Sequence, residues 1–315
     1  MKPIKPLEKK NTALVATLAN FFGRFKLFFL CLFLISSFVA FAQYRHPVGN
    51  IRITSLFGES REDHFHTGID YATRQPVLAI EEGVVIFSRD TSRNPKSLNL
   101  GTGNAIVLQH PDDLRSYYLH LENNSITQKE KVQRGEEIAI MGNSGSSYGY
   151  HLHVDIEEPK ENRIHNPLSV LPNMEDDNPP YIVSMFAKIN EKLYRIRKQS
   201  KFRYSGPMDL IVISWDGGIN QKYQRNPLNT RRTNPYRIEL WIDDELFKVL
   251  DFKHLQYEEN DITLASGQRF EEVYGYDFNY RVATFSPSKN VHKFRVVSID
   301  KNNNYSEASY TVSFN

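Results

Sequence analysis

From Gln43 to about Leu171 the chain runs through short segments of apolar, β-branched and aromatic residues: Pro76 to Ser88, Ala105 to Gln109, Ser116 to Leu121, Glu137 to Met141 and His151 to Ile156. Such segments suit strands, because branched and ring side chains fit a pleated, half-buried surface. Gly83, Gly101, Gly103, Gly135, Gly142, Gly145 and Gly149 fall between the segments or at their edges, where turns with positive φ need them. No stretch sustains the 3.6-residue apolar period of a long helix, so the pattern predicts an antiparallel β-sheet with little helix. The pattern stops at Pro172 to Pro180, an acidic, proline-bearing stretch that reads as a linker. Strand-like segments then resume at Asp209 to Trp215, Tyr236 to Ile242, Leu246 to Phe252 and Lys293 to Ile299. Asp216-Gly217, Asp243-Asp244 and Asn302 to Asn304 supply turns. The expected fold is mainly β: an antiparallel sheet domain over 43–171, a linker over 172–180 and a β-sandwich over 181–315.

The first 42 residues follow a different rule. Lys2, Lys5, Lys9, Lys10, Arg24 and Lys26 face a single acid, Glu8, and Leu27 to Ala42 is then apolar apart from Ser36 and Ser37. That apolar stretch is shorter than the ~20 residues of a spanning helix, and Ala40-Phe41-Ala42 has the small-x-small form of a cleavage site. Residues 1–42 are therefore expected to be an export signal cut after Ala42, with an uncut membrane anchor as the alternative. Cys31, the one cysteine, lies inside this segment and lacks the small residue expected before a lipid-modified cysteine. The mature chain would have no thiol, which excludes disulfides and cysteine catalysis.

Charge narrows the function classes further. The 315 residues carry 39 Lys and Arg against 37 Asp and Glu, a formal charge of +2, without the clustered excess of a nucleic-acid binder. With 40% hydrophobic and 12% aromatic residues the chain can fill two packed cores.

Candidate chemistry lies in three places. In His151-Leu152-His153 the period of a strand puts both imidazoles on one face and Leu152 on the other, although an isolated His-x-His is often a surface accident. His66 and Asp70 are four residues apart, but Gly68 and the loop-like stretch before it argue against a helix, so His66 is expected at a loop end and Asp70 on the next strand. One carboxylate and two histidines leave the fourth position of a tetrahedral zinc site open to water. His120, between Leu119 and Leu121 in a half-buried strand pattern, could move a proton or hydrogen-bond an oxyanion beside such a water. His64 and His110 are set aside as structural, and His46, His165, His254 and His292 have no partner pattern. Ser144 reads as a turn residue, because Gly142-Asn143-Ser144-Gly145-Ser146 lacks the last glycine of a nucleophile elbow.

Taken together, Phe57-Gly58, the run His64 to Asp70, Tyr118-Leu119-His120-Leu121, Gly142-Asn143-Ser144-Gly145, His151-Leu152-His153 and Asn166-Pro167-Leu168 resemble the lysostaphin-type, or LytM-like, zinc peptidases over about residues 50–168. The resemblance implies an antiparallel β cleft in which His66, Asp70 and His153 bind one zinc ion. His120 and His151 would flank a water on that ion, with His151 taking its proton and His120 stabilising the oxyanion, or the reverse. It implies hydrolysis of peptide stems or cross-links of peptidoglycan by an exported protein of a bacterial periplasm or envelope. The charge balance points to no nucleic-acid partner, and membrane contact is expected only through the N-terminal segment if it is uncut. Some relatives have lost ligands and act only as activators, so a catalytically silent wall-binding or activating module is the alternative; a peptidase of exported proteins is another. Tyr150 stands where proline is common, and Ser92 to Leu100 looks like an added loop. The C-terminal sandwich is expected to be a spacing module, or a docking surface built on Trp215, Trp241 and tyrosines.

Overall fold

A computed structural model describes residues 44–93, 101–217, 233–259, 261–274 and 279–315. Residues 1–42, expected to be an export signal, and most of the Ser92 to Leu100 stretch lie outside the described residues. Among the described residues no helix is long and apolar enough to cross a membrane.

The N-terminal half supplies ten strands: β1 (Ile53–Ser55), β2 (Ile69–Ala72), β3 (Pro76–Leu78), β4 (Gly83–Arg89), β5 (Asn104–Gln109), β6 (Arg115–Leu121), β7 (Lys131–Val132), β8 (Glu137–Ile140), β9 (His151–Glu158) and β10 (Arg163–His165). The run read as Pro76 to Ser88 is two strands, because Ala79 and Ile80 turn inward and are fully buried between them. Strand β9 is central: it pairs antiparallel with β6, β10 and β2. Its alternation is that of a buried strand, with Leu152, Val154 and Ile156 all at 0% exposure in one core with Ile69, Tyr71, Tyr118 and Leu121. Gly68, just before β2, lies against β9 so closely that a Cβ there would overlap the Val154 carbonyl and approach Asp155 Oδ1 to 2.6 Å. That missing side chain lets the His66–Asp70 segment press onto the strand that carries His153.

The C-terminal half forms the expected sandwich. One sheet has the order β12 (Lys192–Ile196), β11 (Tyr181–Ile189), β14 (Met208–Trp215), β19 (Tyr280–Phe285). The other runs β13 (Gln199–Phe202), β21 (Tyr305–Phe314), β20 (Val291–Ile299), β15 (Arg237–Ile242), β16 (Glu245–Asp251). All pairings are antiparallel except β13 with β21. The β15–β16 hairpin turns at Asp243-Asp244, both at positive φ (53° and 69°), as a two-residue hairpin loop demands.

Two features cross the line the sequence suggested between the halves. Strands β17 (His254–Glu258) and β18 (Asp261–Leu264) extend the first sheet, with β17 pairing to β10 over Arg163 to His165. The core of the sandwich also takes in Phe57, Phe65 and Ile164 from the N-terminal half.

Candidate metal centre

His66 ends a tight loop that folds back on itself. Its N–H donates to Glu59 O and its carbonyl accepts from Gly58 N, each at 2.7 Å, and the residue is 4% exposed. Asp70 follows on β2 and is paired directly with His153 on β9. Three donor atoms converge there: His66 Nε2 lies 3.1 Å from Asp70 Oδ1 and 3.0 Å from His153 Nδ1, which is itself 2.9 Å from Asp70 Oδ1. Donors bonded to one tetrahedral zinc at 2.0–2.1 Å stand about 3.3 Å apart, so a small widening accommodates the ion.

The outward nitrogens fix what faces inward. His66 Nδ1 lies 2.7 Å from Leu56 O, a carbonyl that can only accept, so this nitrogen carries the proton and Nε2 presents a lone pair. His153 Nε2 donates to Asp155 Oδ1 at 2.7 Å, which turns the Nδ1 lone pair to the centre. Two lone pairs and a carboxylate at mutual distances near 3 Å repel unless positive charge lies among them. The electrostatics agree. Burial opposes charge on His153, but Asp155 and Asp70 more than offset it and push its pKa up to about 10, so without a metal Nδ1 carries a proton that a bound cation would displace. Burial alone would raise Asp70, yet His66 and His153 hold it well below the carboxylate range. The residues present therefore fit a cation. Asp70 Oδ2 is steadied by Arg61 Nη2 at 3.3 Å, and Arg61 also reaches Ser55 Oγ at 2.5 Å.

His120 and His151 stand beside this trio with ring centroids 4.7 Å apart, and His120 is 6.2 Å from the His153 ring. The strand pattern read for His120 is broken locally. Its φ is +60°, and its N–H and Nδ1 are held by Thr102 O at 3.0 Å and Ser144 O at 2.9 Å. It is 9% exposed, more buried than a half-buried strand position. Burial lowers its pKa to about 4, helped by neighbouring His151 and His153 and opposed by the Ser144 carbonyl. His151 Nδ1 lies 2.8 Å from Gly149 O. In both rings the nitrogen facing a carbonyl must be the protonated one, so Nε2 is the unprotonated nitrogen of each. Ser144 is the turn residue the sequence suggested: Oγ donates to Leu121 O and accepts from Asn104 N, both at 2.8 Å.

All five residues singled out in the sequence thus lie in one place. His64 is exposed and its ring pairs with Asp63, whereas His110 is buried between Glu82 O and Ser116 Oγ, each at 2.8 Å. Sequence reasoning passed over Asp155 and Arg61. Asp155 was within reach, since it continues the same face of β9 two residues after His153. Arg61 had no such signal. Tyr150 is exposed, with the Arg74 guanidinium 5.7 Å over its ring. Among the described residues Asp176, Asp216 and Asp300 form another acidic group, but it holds no histidine, and Asp300 serves as a turn acceptor for Asn302 N and Asn304 N.

A family model described as peptidase family M23 matches residues 64–167, and a second, distinct family model matches 179–315. Over 116 residues the chain is 37% identical to the DD-carboxypeptidase/endopeptidase Mpg of Neisseria meningitidis serogroup B (strain ATCC 13091 / M2091), covering 35% of this chain and 25% of that protein. It is 34% identical over 93 residues to the peptidoglycan DD-endopeptidase ShyA of Vibrio cholerae serotype O1, covering 29% and 20%. To the murein hydrolase activator NlpD of Escherichia coli (strain K12) it is 29% identical over 121 residues, covering 38% and 29%. The chain spans about a quarter of the length of the curated relatives it matches. Through residues 64–167, then, this chain belongs to peptidase family M23, the lysostaphin or LytM type.

Proposed function

We propose that this chain is an exported zinc metalloendopeptidase that hydrolyses peptide bonds in the stems or cross-links of peptidoglycan. The observation that carries the reading is the convergence of the His66 and His153 lone pairs on the Asp70 carboxylate. His66, Asp70 and His153 would hold one zinc ion, which supplies Lewis acidity toward a water and the scissile carbonyl. The remaining chemistry belongs to His120 and His151. Both begin with an unprotonated Nε2, so neither can donate a hydrogen bond from that nitrogen until it has taken a proton. We assign that proton to His151, because burial keeps His120 a weak base with a pKa of about 4. The His151 imidazolium then protonates the leaving amine, while His120 flanks the oxyanion. Asp155 keeps His153 in the tautomer that ligates. The peptidoglycan substrate and the envelope location rest on the names of the relatives, ShyA and NlpD among them. In domain terms, 43–171 is the peptidase unit, 172–180 its connection and 181–315 the sandwich.

The likeness to a murein hydrolase activator supports a second reading, in which the chain stimulates another wall hydrolase without cutting. One experiment separates the two: mass spectrometry of cross-linked muropeptides incubated with zinc-loaded protein, beside His153→Ala. New cleavage products with the native chain alone support the peptidase and name the bond. Intact muropeptides with a fully zinc-loaded native chain would point to the activator. His120→Ala should keep its zinc and lose roughly 10²–10⁴ in rate, the usual worth of a positioned proton-transfer group.

A further inference from the structure

The loop that carries His66 is held from outside its own half of the chain. Three consecutive backbone carbonyls, those of Leu56, Phe57 and Gly58, form a frame around it. Leu56 O accepts from His66 Nδ1 at 2.7 Å and so aims the ring. The next carbonyl, Phe57 O, accepts from Asn234 Nδ2 at 3.2 Å, and the third, Gly58 O, accepts from the Tyr274 hydroxyl at 2.7 Å. Gly58 N closes the frame by donating to His66 O at 2.7 Å. Asn234 is in turn fixed by the Tyr280 hydroxyl, which donates to its Oδ1.

Packing repeats the arrangement. Phe65, next to His66 and 2% exposed, sits edge-on to Phe270 at 5.3 Å and against Tyr274 at 6.0 Å. Gly58 has φ +79°, and a Cβ there would overlap the Phe252 ring and come within 3.1 Å of Asn234. A left-handed glycine is thus wedged under an aromatic ring from residues that the sequence assigned to a separate sandwich.

We infer that the C-terminal sandwich is a working part of the metal site, with Tyr274 and Asn234 as positioning residues that fix the Leu56–Gly58 carbonyls and through them the direction of the His66 ring. This rests on the reading of His66 as a metal ligand. The Asn234 and Tyr274 bonds reach the His66 ring through the backbone that carries Leu56 O, so the effect falls on metal affinity and geometry, not on the reacting groups. Burial holds the Tyr274 hydroxyl far above its ordinary pKa, so it stays a donor throughout the working range of pH.

The test uses the whole chain. Tyr274→Phe keeps the ring that packs on Phe65 and removes only the hydroxyl. Zinc affinity is measured by chelator competition, the visible spectrum of the cobalt(II) form reports donor geometry, and thermal unfolding of the metal-free protein reports stability. The comparison variant is Ser298→Ala, which breaks the buried Ser214–Ser298 hydroxyl pair elsewhere in the sandwich. We expect Tyr274→Phe to raise the zinc dissociation constant about 10-fold, the low end of the range for loss of an outer support, and to shift the cobalt spectrum. Its metal-free unfolding midpoint should stay close to that of Ser298→Ala, and Ser298→Ala should bind zinc as the native chain does. Asn234→Ser, which withdraws the contact to Phe57, should weaken zinc in the same direction. Unchanged zinc affinity in both Tyr274→Phe and Asn234→Ser, or an equal loss in Ser298→Ala, overturns the inference. His66→Ala separates the two levels. Zinc lost in His66→Ala but untouched in the positioning variants rejects this inference alone, whereas zinc retained in His66→Ala rejects the metal assignment beneath it.

Discussion

His153 and His66 face each other across 3.0 Å, yet different kinds of structure hold them there. His153 lies within a central strand, with ladder partners Asp70 on one side and Leu119 on the other, and its ring is fixed by Asp155 two residues along the same strand. Its support is local and could be read from a period of two. His66 sits on a loop whose ring is aimed by Leu56 and whose frame is clasped by side chains about 180 and 220 positions further on. The contrast teaches that two donors of one site can have unequal tolerance to change. The sheet protects one, and a distant packing contact protects the other.

The largest expected effect breaks the pair itself. His153→Ala and His66→Ala should both lose zinc and hydrolysis, measured by metal content and fragment release, but they should differ in the metal-free state. Removing His153 strips Asp70 and Asp155 of a buried partner, which costs about 3–5 kcal/mol. Removing His66 leaves Asp70 with His153 and Arg61. A denaturation series in which His66→Ala proves the less stable of the two would reverse the comparison.

Next in size is Asp155→Asn. It keeps the shape but can offer His153 an amide N–H in place of an acceptor, and it should weaken zinc by roughly 10–100-fold while sparing the fold. Equal zinc affinity by chelator competition would mean the strand needs no help from this carboxylate.

The smallest effect probes the strand side through pH. His46 is buried, its Nε2 donating to Pro172 O at 3.0 Å and its Nδ1 facing the Tyr71 hydroxyl on β2 at 3.2 Å. Burial, with Arg45 adding to it and the Pro172 carbonyl opposing, lowers its pKa below 6.5. The folded chain therefore prefers the neutral ring. The stability this contributes is full above pH 6.5 and is lost as pH falls below it, because the unfolded chain takes up the proton first. His46→Gln should flatten the fall in unfolding midpoint between pH 7 and pH 5. An unaltered slope would place the pH sensitivity elsewhere.

Much of the site was legible because its chemistry rides on regular backbone. His151 and His153 alternate with Leu152, Asp70 follows its loop onto β2, and the Asp243-Asp244 turn announces its hairpin. What escaped depends on contacts between remote segments. The conformation of His120 is set by Thr102 and Ser144, not by Leu119 and Leu121. The pairing of β10 with β17 joins residues some 90 positions apart, and three residues each are too few to leave a pattern. Phe57 and Phe65 were visible as apolar residues, but nothing near them in the chain says which of two cores they fill.

The positive φ of His120 has a consequence for how this chain can drift. Glycine or asparagine would satisfy that bend with less steric conflict, by about 1 kcal/mol. Against that saving, the same change would empty a buried space and leave Ser144 O without its imidazole donor. The imidazole is thus anchored by its packing and by its bond to Ser144, and the bend at φ +60° is a strain those contacts offset.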